Sequence, residues 1–530
     1  MSDSKDVFAV KRESVSRREV MLGATATGLS TIIAGGMSSK AKAQTPKKGG
    51  RLRMAVPGGA TTDVLDPGTW NDIYMQTVGF GPMRNNLAEV SPDNEVIPEL
   101  AESWEPSRDA KNWTFKLRKG VEFHSGKTLT ASDVLASINH HRGRNNTSIA
   151  NALARAIEEV KLEDSTTISF SLNQGNADFP ALMTDFRFGI MPADAEGKVD
   201  WRSGDGTGGY VMSTFDPGVR ALLKRFPNYW KSGTAHFDEV EVLSINDITA
   251  RQNAIITGAV DVADRIDLKT VDLIRRNGKI VIENVPGKLY YTFEMLTTVE
   301  PFRDANLRLA MKHAIDREAL LSTVLRGFGS LGNDHPLSKA YRYFDPSIPQ
   351  RQYDADKAKF YLQKAGYSSF SIDLNISDVA FNGATDASAL FREQAAKANI
   401  NINLIREASD GYFQRTLGKV PLMATYFTGR PTEDGILSIA FGLNSASNNP
   451  KWASPEVNSL IESARSEIDV AKRKETYSGI QRRIRDEGAS LITLFANYVF
   501  ARSGKLAHGP MLSSDRSLDG AKMCERWWFA

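Results

Sequence analysis

The sequence predicts an α/β protein whose lobes share strands, and three observations carry that expectation. Strand-like and helical stretches are interleaved along the chain, with no fixed-period repeat, heptad run or low-complexity linker. The 530 residues exceed one ordinary core, so about two to four lobes are expected. Hydrophobic residues at 41% and charged residues at 24% are ordinary for a globular chain and exclude a fibrous or broadly disordered one.

In chain order, "GGRLRMAV" alternates like a strand, and "DVLDPGTWNDIYMQTVGFGPMRNNLAEV" reads as a loop and then a helix carrying Ile73, Val78 and Leu87. "NWTFKLRKGVEF" is a strand in a compact β-rich region, and "TASDVLASINHHRG" a helix capped by Thr130 or Ser132. "YVMSTF", "RALLKRF" and "HFDEVEVLSI" are strands, and "DITARQNAIITG" a helix. "DANLRLAMKHAIDREALLSTVLRG" is read as one long helix behind an Asp304 cap, with Leu307, Met311, Ala314, Ile315 and Leu321 at helical spacing. "FSIDLNIS" and "NINLIRE" flank the helical "ASALFREQAAKA" as a βαβ unit. A long helical pair fills 454–488, started by Ser454 and Pro455 and stopped by Gly488.

The amino terminus carries Arg17 and Arg18, then a modestly apolar stretch, then Ala41-Lys42-Ala43, the order of a secretory signal of twin-arginine type over residues 1–43. Without it the chain holds 59 residues of each charge sign, so there is no electrostatic case for a nucleic-acid partner. One cysteine, Cys524, excludes an intramolecular disulfide, and no low-pKa setting marks it as a nucleophile.

The chemical motifs fail on context. "GFGSLG" at 327–332 follows a helix and "GDGTGG" at 204–209 leads into a strand, whereas a dinucleotide loop needs its glycines between strand and helix. "SGKT" at 125–128 has Val121 where a phosphate loop needs its first glycine, and no G-x-S-x-G elbow occurs. The seven histidines are scattered, and the neighbours His140 and His141 diverge by about 100° on a helix. No catalytic residue, metal ligand or cofactor is assigned.

The stretch "VIPELAESWEPSRDAKNWTFKLRKGVEFHSGKTLTASDVLAS", with "GTGGYVMSTFDPG", "RFPNYWKSGTAHFDEVEV", "ARQNAIITGAVDVAD" and "YDADKAKFYLQKAGY", resembles the family 5 extracellular solute-binding proteins of ABC importers, which include dipeptide-, oligopeptide-, nickel- and opine-binding receptors. The resemblance implies a periplasmic-binding-protein-like two-lobed clamshell with an additional inserted domain: lobe I at 49–84, 205–295 and 490–530, the insertion at 85–204, and lobe III at 296–489. It implies a periplasmic, monomeric, non-enzymatic receptor that delivers a small polar solute, peptide-like or opine-like, to an ABC permease and its ATPase. The alternatives are a secreted cofactor- or metal-containing enzyme, or a heme- or nickel-binding receptor of the same fold. Trp104, Phe115 and His124 of the signature are expected to pack rather than to touch ligand.

Site residues follow from the same frame. Asn333, Asp334 and His335 occupy a loop that family members bring toward the cleft. In "YFTGRPTEDG" Thr432 falls near the amine-binding aspartate of dipeptide receptors and Asp434 matches a later acid. Arg430 stands where that acidic loop is rewritten, and its planar guanidinium suits a carboxylate, sulfate or phosphate, so the solute is expected to carry an anionic group. Trp70 and Tyr426 are candidate aromatic walls, and Glu294 stands where many relatives have asparagine.

Overall fold

The computed structural model describes residues 46–530 apart from 71, 378–379, 409–411, 444 and 446, so the expected signal at 1–43 lies outside the described residues. An eleven-stranded mixed sheet runs through the fold. On one side Arg51–Val56 pairs in parallel with Glu239–Ser244, which continues antiparallel into Arg220–Arg225 and Tyr210–Asp216. On the other, Phe370–Ile376 pairs in parallel with Ile400–Arg406 across the helix Ala384–Ala396, the βαβ unit expected from the sequence.

Two long antiparallel strands, Ile280–Met295 and Ser490–Ser503, join these sides. Their ladder shifts register between Val285 and Leu289, at "PGK", and again between Tyr291 and Thr292. Gly287 is required at the first shift, because a Cβ there would lie 2.2 Å from the carbonyl oxygen of Ala496. Beyond the first shift, Tyr290–Met295 takes Leu422–Phe427 as its other neighbour, whereas the opposite end of Ser490–Ser503 pairs with Val262–Ala263.

The hydrophobic cores follow this division. One, around Phe293, Leu307, Phe391 and Ile480, belongs to the side with the βαβ unit, and another, around Met54, Trp70, Val240 and Trp527, to the side with the amino-terminal strand. A third, between Leu87 and Ile190, packs beneath its own four-stranded sheet, where Trp104 lies 5.7 Å from Phe115. The two sides of the large sheet and the small four-stranded sheet thus each have apolar material enough to pack around. Among the described residues no helix is long and apolar enough to cross a membrane.

Two local expectations are corrected and one is narrowed. The stretch from Asp304 forms two helices, Ala305–His313 and Arg317–Val324, because Asp316 accepts hydrogen bonds from the amides of Glu318 and Ala319 and caps a fresh start. The helix from Ile73 ends at Gly79, short of Leu87, where Gly81 and Pro82 turn the chain. Thr130, rather than Ser132, caps Ala131–Asn139 in a reciprocal box with Asp133.

Candidate ligand-binding cleft

The strand Leu422–Phe427 delivers the "TGRPTEDG" loop to the register shift of the long strand. Gly429 is needed for that approach, since a Cβ would stand 2.1 Å from the Cβ of Lys288. The Lys288 ammonium, almost wholly buried, donates to the Pro431 carbonyl at 3.2 Å and lies 3.7 Å from Asp515.

Arg430 is half-buried. Its amide donates to the Tyr341 hydroxyl at 3.1 Å, and its Nη1 donates to Thr428 O, Thr428 Oγ1 and Gly429 O at 2.9–3.1 Å. Among the described residues it has no carboxylate partner. The neighbouring acids are engaged elsewhere: Asp434 pairs with Arg465 at 2.9 Å and accepts from Ser438, and Glu433 accepts from the Tyr343 amide at 2.7 Å. Thr432 caps the helix Glu433–Phe441 by accepting from the Gly435 amide.

Three more residues, missed by sequence reasoning as Lys288 was, complete this face. Asp515 pairs with Arg516 at 2.6 Å, and although burial raises its pKa, Arg516 and Lys288 win and hold it below the usual carboxylate range. The Arg516 guanidinium sits 5.0 Å from the Phe186 ring, whose other cationic neighbour is Arg187 at 4.1 Å. Arg187 also donates to the Trp70 carbonyl at 3.0 Å and pairs with Asp185. Burial, and then the positive charges of Arg516 and Arg430, pull Arg187 down against the pull of Asp185. The one available signal was Arg187 between two phenylalanines in "DFRFG"; Arg516 and Lys288 look like any charged residue.

The other sequence candidates stand in different surroundings. Asp334 is wholly buried between Arg317 at 2.6 Å and Arg351 at 2.8 Å; burial raises its pKa, but these cations hold it low. Asn333 accepts from the Arg351 amide, and burial pushes the His335 imidazole down to about 4, leaving it neutral near pH 7. Asp334 and Asn333 are thus tied to Arg317 and Arg351, not to Arg430, and His335, whose ring nitrogens have no hydrogen-bond partner among the described residues, lies 6.2 Å from the Phe344 ring. Trp70 is a core residue whose indole donates to Val64 O, with only its carbonyl turned to Arg187. Tyr426 is 38% exposed, edge-on to Phe413. Glu294 is buried, hydrogen-bonded to Ser490 Oγ at 2.6 Å, and burial pushes it up to about 7.

A second set of contacts joins the segment 174–178 to the helices Pro455–Ser466 and Val470–Glu487. Asp178 pairs with Arg473, the Ala177 amide donates to Arg465 O at 2.7 Å, and Arg465 Nη1 donates to Gln174 Oε1 at 2.9 Å.

Two lobes joined by a pair of shared strands, with charged loops meeting at the junction, define a hinged solute-binding protein. The chain belongs to the bacterial extracellular solute-binding proteins, family 5, whose middle region it matches over residues 95–449; such proteins are the solute-binding components of ABC importers. It is 27% identical over 448 residues to the dipeptide-binding protein of Escherichia coli K12, covering 78% of this chain and 83% of the relative. It is 24% identical over 474 residues to the glutathione-binding protein GsiB of Pectobacterium atrosepticum, covering 84% and 89%. Its fold matches that of HbpA2 from Haemophilus parasuis with a TM-score of 0.80 at 22% identity, covering 88% of this chain and 98% of the other.

Proposed function

We propose that this protein works in the periplasm, after removal of residues 1–43, and closes on a small polar solute whose anionic group is held by Arg430. The observation that carries this reading is the half-buried guanidinium of Arg430, without a carboxylate partner among the described residues, on the loop that meets the strand junction. A charge-assisted hydrogen bond contributes about 1.5 to 3 kcal/mol, enough to discriminate ligands roughly tenfold or more. The relatives named for dipeptides and glutathione support a carboxylate-bearing, peptide-like or opine-like solute. On this reading the hinge lies at the first register shift, so closure moves Lys288 and the Arg430 loop against the inserted domain, and the closed form is what the permease and its ATPase engage.

Native mass spectrometry of the exported chain, followed by identification of the solute released on unfolding, tests the proposal. A small organic acid or peptide is expected. A neutral solute, or a stoichiometric metal or heme by elemental analysis and absorption, would overturn it.

A further inference from the structure

Resting on that reading, we infer that the solute carries a second anionic group, held by Arg187 and Arg516 on the wall built by the inserted domain and the carboxyl-terminal segment. A continuous chain of contacts leads there from Arg430: Pro431 O to Lys288 at 3.2 Å, Lys288 to Asp515 at 3.7 Å, Asp515 to Arg516 at 2.6 Å, and Arg516 to Arg187 across the Phe186 ring they share.

Charge along this chain does not balance. Arg187, Lys288, Arg430 and Arg516 face two carboxylates, Asp185, which Arg187 uses, and Asp515, which Lys288 and Arg516 share. The nearby Glu433 is turned to the Tyr343 amide, and burial, then Asp178, pushes it toward its neutral form. Even with Glu433 ionised, one positive charge remains in excess.

Hydrogen bonding points the same way. Nη1 of Arg516 is buried and has no acceptor among the described residues, while its guanidinium retains only slight exposure. The guanidinium lies over the Phe80 and Phe186 rings at 5.1 and 5.0 Å, contacts that use none of its hydrogen-bond donors. A buried cation with unused donors among like charges is stabilised by an anion arriving with the solute, because attraction in a low-dielectric cleft is strong and screening weak. The ligand class is therefore a small molecule with two separated acid groups, one toward Arg430 and one toward Arg516 and Arg187.

The test uses a matched pair of probes, N-succinyl-L-alanine and its half-amide, in which the succinyl carboxylate is replaced by a carboxamide. Both are titrated calorimetrically into the mature chain after it has been stripped by unfolding and refolded. The diacid is expected to bind at least tenfold more tightly than the half-amide. Arg516→Gln and Arg187→Gln should each reduce that ratio toward one, Arg516→Lys should retain part of it, and melting curves should show all variants folded. Arg430→Ala should weaken both probes. Equal affinity of the unaltered protein for the two probes, or a ratio preserved in both glutamine variants, overturns the second subsite; if Arg430→Ala still weakens binding, the first reading stands. Failure of both probes to bind also overturns this inference, and the acid groups of the copurified solute then decide the first reading separately.

Discussion

The carboxylate of Asp178, just before the short helix Phe179–Leu182, is paired with the guanidinium of Arg473, on the helix Val470–Glu487. The Arg473 guanidinium also lies 5.3 Å from the Tyr343 ring and 5.6 Å from the Tyr477 ring, so the pair is held in an aromatic setting. Removing one member of a buried pair costs about 3 to 5 kcal/mol, and on the proposed hinge motion opening would part this one. Asp178→Asn is expected to weaken solute binding at least tenfold and to enlarge the radius of gyration of the solute-loaded protein in X-ray scattering. Unchanged affinity and unchanged scattering would remove the pair from the closure mechanism.

Arg430→Ala is expected to lower affinity for the copurified solute about tenfold or more while moving the melting temperature little, because its side-chain Nη1 serves only its own loop and the backbone amide keeps its bond to Tyr341. Gly429→Ala should act on the same site by another route, pushing the loop off Lys288. Calorimetric titration of both variants checks this, and full affinity in Arg430→Ala would place the residue outside the site.

Glu294 supplies a pH prediction. Burial raises its folded-state pKa from 4.5 to about 7, so the folded state keeps its proton where the unfolded chain has lost it. Its contribution is fully present below about 4.5 and is lost as pH rises through about 7, a change of up to roughly 3 kcal/mol. Glu294→Gln should therefore stabilise the protein at pH 8 and change little at pH 5, with the Ser490 hydrogen bond preserved. Denaturant melts at the two pH values decide, and an equal effect at both would contradict the assignment.

Asp334 is wholly enclosed by Arg317 and Arg351, with the buried Lys312 among the charges that lower its pKa. Asp334→Asn takes from Arg317 its carboxylate and leaves Arg351 with Asp486 alone, and a loss of about 3 to 5 kcal/mol of stability is expected. The measurement is chemical denaturation alongside solute titration. Stability should fall further than affinity, and the reverse order would return Asp334 to the binding surface.

Regular elements were legible where local physics decides them. Ser454 and Pro455 start Pro455–Ser466, Gly488 ends Val470–Glu487, and the strands flanking Ala384–Ala396 pair in parallel, all as the spacing implies. The expectation of one long helix from Asp304 failed because Asp316 competes locally as a cap, a signal that apolar periodicity alone overlooks. Arg430 was legible as a lone cation in an acidic turn. Asp334 looked like a loop residue until the chain brought Arg317 and Arg351 around it.

By itself the sequence determined the element types, the mixed α/β class, the family and the loop bearing Arg430, because propensity, capping and turn chemistry act over a few neighbouring residues. Tertiary structure decided which charges face one another. Lys288, Arg187 and Arg516 come from a strand junction, the turn Phe186–Phe188 and the carboxyl-terminal segment, and only the shared long strands and the packing on Phe186 bring them together. Each is an ordinary cation in water, and on the proposed reading it would act as a binding group because burial lowers the dielectric around it and its neighbours leave donors unused.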